Sequence, residues 1–144
     1  MPTLSRYLTY AGALPFIALA IAYALDVRLL PIVGSTKSAL SAYTLIIVCF
    51  MAGSHWGLHL KLSGLWQWVL PLTSNSVAIV AWLAFLDFPF RSFLLTMSIS
   101  FILLLLIDLT LSAKGYLSKG YIRVRVIVTA VVVTCLLMVR WQLA

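Results

Sequence analysis

Acidic side chains are almost missing from this chain: three aspartates, Asp26, Asp87 and Asp108, and no glutamate. Charged residues of both signs make up 9% of the sequence, where a soluble domain carries about 25%. So few charges cannot cover a water-facing surface of this size. Cysteine is equally scarce. Cys49 and Cys135 lie far apart in apolar segments, with no CxxC pair and no ligand spacing. They read as small buried hydrophobes, and no redox compartment follows from them. No HExxH, no GxSxG and no phosphate-binding glycine loop occurs. No Ser-His-Asp arrangement stands out, so an enzyme is not the expected function and no catalytic residue is named. The net charge of +7 comes from ten scattered Lys and Arg. A nucleic-acid surface needs clustered charge with aromatics, so no nucleic-acid partner is expected.

What the chain has in abundance is apolar sequence, 64% of it, gathered in long blocks. Five blocks stand out, at about 7–25, 38–60, 65–86, 92–111 and 121–139. Each approaches the roughly 20 helical residues that cross a 30 Å hydrocarbon core. The expected fold is all-α, a bundle of five transmembrane helices with up-down connectivity, forming one transmembrane domain over 1–144. A spanning barrel is excluded, because it needs alternating segments of about ten residues. Pro15 lies mid-block in the first helix and favours a kink there. Ala18-Leu19-Ala20 has the form of a signal-peptidase site, but cleavage is not expected in a block long enough to span. The linker 26–37 is the longest loop.

Basic residues between the blocks set the orientation. Arg6, Lys61, Lys114, Lys119, Arg123 and Arg125 fall on one side; Arg28, Lys37, Arg91 and Arg140 fall on the other. The expectation is a multi-pass protein of the bacterial inner membrane, amino terminus inside and carboxyl terminus outside.

Polar residues inside the blocks are the candidate site. His55 lies six residues before Lys61, Asp108 six before Lys114, and Arg125 six after Lys119. Six helical residues rise about 9 Å, so the three share one depth. Asn75 lies slightly deeper and is grouped with them. Asp108 and Arg125 are the natural pair, since each lowers the other's cost of burial. The pair serves either as a staple between helices or as a working site. His55 and His59, at i and i+4, are weak metal candidates without a third ligand. A haem contact, or a quinone or lipid contact around His55 and Trp56, is a further option for a cofactor. Gly53 and Gly57 form a GxxxG, expected to pack the second helix at the bundle centre. Trp56 and Trp82 are expected to pack with it.

Tyr43, Phe50, Gly53 and His55-Trp56-Gly57 resemble the "Y…F-x-G-G-x-H-W-G" pattern of the domain of unknown function 3429 family, which includes the mitochondrial transmembrane protein 69. Gly12, Pro15 and Phe16 resemble its first helix, Ser74 and Ala81-Trp82 its third, Asp108 its fourth, and Tyr121, Arg125 and Thr129 the opening of its fifth. Ala52 stands where the pattern has its first glycine and Val77 where it has a proline. The resemblance implies a small inner-membrane bundle marked by His55, Asp108 and Arg125. The expected function is a non-enzymatic accessory subunit or assembly factor of a larger, respiratory complex, bound through helices in the lipid bilayer. The alternative is a small proton- or solute-handling transporter built on the His/Asp/Arg cluster, since imidazole titrates near neutral pH.

Overall fold

The structure, a computed structural model, describes residues 3–143. Five helices carry the chain: α1 (Thr3–Ala24), α2 (Thr36–His59), α3 (Trp66–Asp87), α4 (Phe90–Ala113) and α5 (Lys119–Gln142). Each is long and apolar enough to cross a membrane. The protein is an all-α, multi-pass membrane protein.

Helices α1, α2, α4 and α5 begin before the apolar blocks that mark them, and α3, α4 and α5 end beyond theirs. Hydropathy reports the segment that tolerates hydrocarbon. The helix itself continues through Arg6, Arg91 and Lys119, whose long stems let the charge reach water. Serine hydroxyls set two of the starts. Ser35 Oγ accepts from the Ser38 amide at 3.3 Å, and Ser118 Oγ accepts from the Tyr121 amide at 3.2 Å. Each satisfies one of the orphan amides of a first turn. Gly115, at φ 85°, closes α4 in the left-handed conformation that glycine adopts without strain.

The segment after α1 is not plain loop. Leu29–Leu30 (β1) and Gly34–Ser35 (β2) pair antiparallel, Leu29 opposite Ser35 and Leu30 opposite Gly34. The buried Thr36 ties this hairpin down, its hydroxyl donating to the Val27 carbonyl at 2.7 Å. Arg28 lies over the Tyr23 ring at 4.1 Å and pairs with Asp26 at 2.7 Å. The tip holds Ile32, fully exposed and at φ 73°. A β-branched residue with positive φ is strained.

The helices form a ring. Helix α1 packs on α2 and α5, α3 on α2 and α4, and α4 on α5, while α2 also reaches α4 across the interior. Lipid tails are as apolar as leucine, so close packing and interhelical hydrogen bonds, rather than escape from water, hold such a bundle. Phe16 of α1 is the central wedge, edge-on to Tyr43 at 5.0 Å and to Phe101 at 6.0 Å. The Tyr43 hydroxyl donates to the Gly12 carbonyl at 2.8 Å and pins α2 to α1. The Ser74 hydroxyl donates to the Ala52 carbonyl at 2.7 Å and pins α3 to α2. Fully buried Ala81 and Ala84, with Ala52, keep the α3 side of the core small enough for that approach. Pro15 lies within the continuous α1.

Replacing Ile32 by Asn, which tolerates a left-handed backbone, removes the strain and no packing. Thermal unfolding in detergent should show a gain of about 1 kcal/mol; a loss would mean that the isoleucine side chain contributes to stability.

Candidate functional site

A carboxylate in hydrocarbon needs partners on both oxygens, and Asp108 of α4 has them. His55 Nε2 of α2 lies 2.7 Å from Oδ1. Arg125 Nε of α5 donates to Oδ2 at 2.8 Å. His55, Asp108 and Arg125 are 2%, 1% and 2% exposed, so neither bond competes with solvent. An ionised carboxylate only accepts, so the imidazole donates from Nε2. A neutral ring then carries its lone pair on Nδ1, which has no hydrogen-bond partner among the described residues. One acid on α4 thus ties its helix both to α2 and to α5. The Asp108–Arg125 pair cancels its own charge.

Beside this network lies a cavity of about 420 Å³ between α1, α2 and α5, floored by Phe101 of α4. Its walls are mostly apolar: Leu8 and Phe16 from α1, Ile47, Phe50 and Met51 from α2, and Val124, Val128 and Val132 from α5. Its polar lining is Ser5 and Thr9 from α1, Ser54 from α2, and Tyr121, Arg125 and Thr129 from α5. The Tyr121 side chain sits beside Ser54, Arg125 and Asp108. The wall on α5 is buried or half-buried, whereas Ser5, Leu8, Phe50 and Ser54 are exposed. The mouth therefore opens sideways, between α1 and α2.

The family model described as a protein of unknown function, DUF3429, matches residues 1–140. The chain belongs to the DUF3429 family. No curated protein and no solved structure matches it.

In this DUF3429 protein the residues picked out by depth are sorted by direction around each helix. His55, Asp108 and Arg125 meet; Asn75 does not join them. Asn75 is exposed on α3, and Ser74, one residue and about 100° earlier, holds the inward position. Gly53 and Gly57 also differ from expectation. Both are exposed, and a Cβ added at either would meet nothing within 4 Å. They pack no helix of this chain; Ala52 and His55 face inward instead. Trp56 and Trp82 are 45% and 54% exposed, so they too cover the outside rather than the core. His59 is turned back on its own helix, with Nδ1 donating to the Trp56 carbonyl and its ring 4.8 Å from the Trp56 ring.

No three His, Cys, Asp or Glu side chains cluster among the described residues. His55 and His59 therefore lack a third ligand, and the Nε2 of His55 is already held by Asp108. The cavity runs along Arg125, and neither His55 nor Trp56, around which a quinone or lipid contact is one option, is in its lining. Ser54, Tyr121 and Thr129 belong to its wall. The readable signal for Thr129 was its i, i+4 spacing from Arg125, which puts both on one face.

Removing one member of a buried ion pair leaves the other uncompensated, at about 3–5 kcal/mol. Asp108→Leu and Arg125→Met should each lose that much in unfolding measurements in detergent. The double variant should recover most of the loss. Strictly additive losses would show that the two groups are not coupled.

Proposed function

We propose that this protein is a non-enzymatic accessory subunit or assembly factor that joins a larger complex in its membrane. The supporting observation is Asn75. It stands nine residues into α3, about 13 Å along the helix and so near mid-membrane, exposed in the short polar run Thr73–Ser76 of a largely apolar helix. A bare amide in hydrocarbon costs several kcal/mol, and a neighbouring helix with a hydrogen-bonding group removes that cost. The Ser74–Ala52 bond sets Asn75 at nearly the height of Gly53. Each of these residues is one step around its helix from the contact. Gly53, Gly57 and Asn75 thus flank the outer groove between α2 and α3. Glycines with open space above them and an amide beside them suit a close-approaching foreign helix.

The His55–Asp108–Arg125 network is then a staple that holds α2, α4 and α5 in one arrangement behind that face. A proton- or solute-handling transporter is supported less well. Such a role needs Asp108 to exchange partners during a cycle, whereas both its oxygens are held at hydrogen-bond distance in a buried site. For placement we infer a bacterial inner membrane with the amino terminus inside. The basic residues at the two ends number five against four once Arg125 is set aside as a network member.

Affinity purification from native membrane in mild detergent tests the proposal. The wild-type protein should recover a complex of defined stoichiometry. Asn75→Leu and Gly57→Val should lose it while keeping wild-type thermal stability. Recovery of the bare protein alone, or a complex indifferent to both substitutions, would sink it.

A further inference from the structure

Thr129 carries the odd buried hydroxyl among the described residues of this bundle. Thr44, Ser98, Ser100 and Thr110 lie on helices and each donates to the carbonyl four residues back, at 2.6, 2.8, 2.9 and 2.9 Å. That bond is how a helix hides a hydroxyl in an apolar setting. Thr129 is 3% exposed, yet its Oγ1 has no partner among the described residues. One turn away on the same face, Arg125 Nη2 is likewise buried and without a partner. Both side chains line the cavity between α1, α2 and α5. Two orphan donors side by side on the wall of an apolar cavity ask for an acceptor from outside the protein.

The charge of that acceptor follows from Asp108. Arg125 already has its countercharge, held through Nε at 2.8 Å. The site offers hydrogen-bond donors without spare positive charge, so a carboxylate or phosphate head would be buried uncompensated. A neutral carbonyl oxygen fits. The rest of the ligand follows from the shape. The lining on α5 runs from Tyr121 to Val132, about 16 Å of helix and close to half of a 30 Å hydrocarbon core. The side mouth between Leu8 and Phe50 opens toward lipid. The Tyr43–Gly12 bond and the Phe16–Phe101 contact close the deep end.

We propose that this cavity binds a lipid-soluble molecule with an apolar body and a neutral carbonyl head, the carbonyl accepting from Arg125 and Thr129. The ligand enters from the bilayer between α1 and α2. Quinones and neutral acyl esters both present this chemistry. Occupancy is independent of the partner contact on α2 and α3, which lies on the outer face of the bundle.

The test uses the purified full-length protein in detergent, its thermal unfolding followed by circular dichroism with four added probes. Decylubiquinone and monooleoylglycerol carry the neutral carbonyl; oleate carries a carboxylate; decylubiquinol replaces the carbonyls by hydroxyls. At least one carbonyl probe should raise the midpoint in a concentration-dependent way, and which one does identifies the source. Oleate and decylubiquinol should bind at least tenfold more weakly. Thr129→Val, which keeps the shape and removes one donor, should weaken the carbonyl probe about tenfold, the worth of one hydrogen bond. Val128→Phe should fill the cavity and abolish the shift while leaving the helical spectrum unchanged. No shift with either carbonyl probe, an equal shift with oleate, or wild-type binding in both variants would overturn the proposal.

Discussion

A carboxylate cannot stay ionised in hydrocarbon unless its charge is met, and Asp108 is the one acid that lies inside a helix's apolar span rather than at its end. Meeting that requirement sets the arrangement of the helices. One oxygen faces the imidazole on α2, the other the guanidinium on α5, so three helices must stand at fixed heights and rotations. Apolar packing alone specifies this weakly, because leucine against leucine and leucine against lipid differ little. Side chains such as Phe16, Met97 and Leu104 fill the space that results, and the Ser74 and Tyr43 hydroxyls add two further pins.

The same demand, that polar groups inside the membrane find partners, also marks where this is left unmet among the described residues. Helical hydroxyls such as those of Thr44, Ser98, Ser100 and Thr110 answer it locally by bonding backward along their own helix. Arg125 Nη2 and Thr129 Oγ1 do not, and they lie on a cavity wall. Asn75 does not, and it is exposed on the outside, as Gly53 and Gly57 are. The two places differ in kind. The first is a pocket about one leaflet deep; the second is a surface.

Depth and direction were unequally readable before the fold was known. A helix rises a constant distance per residue, so counting from Lys61, Lys114 and Lys119 placed His55, Asp108 and Arg125 in one layer. Rotation about the axis is another matter. In a soluble helix an apolar stripe points at the core. In these helices apolar residues cover the lipid face as well, so Ser74 and Asn75, adjacent in sequence and equally polar, could not be told apart. The glycine pair suffered the same ambiguity: GxxxG marks a face open to close approach without saying whose helix comes near. The cavity was hidden for a further reason, since its walls combine α1, α2 and α5, segments more than a hundred residues apart at the extremes.

Composition and block length by themselves determined that this chain crosses a membrane five times as helices, because no other structure satisfies so much backbone in lipid. They also determined the level at which its rare charges lie. Only tertiary structure decided which polar residues turn inward, that α2 shows its glycines to the outside, and that Arg125 and Thr129 border a cavity. Those outcomes depend on helix rotation and on which helices adjoin, and a nearly uniform apolar surface leaves both unspecified until the chain has packed.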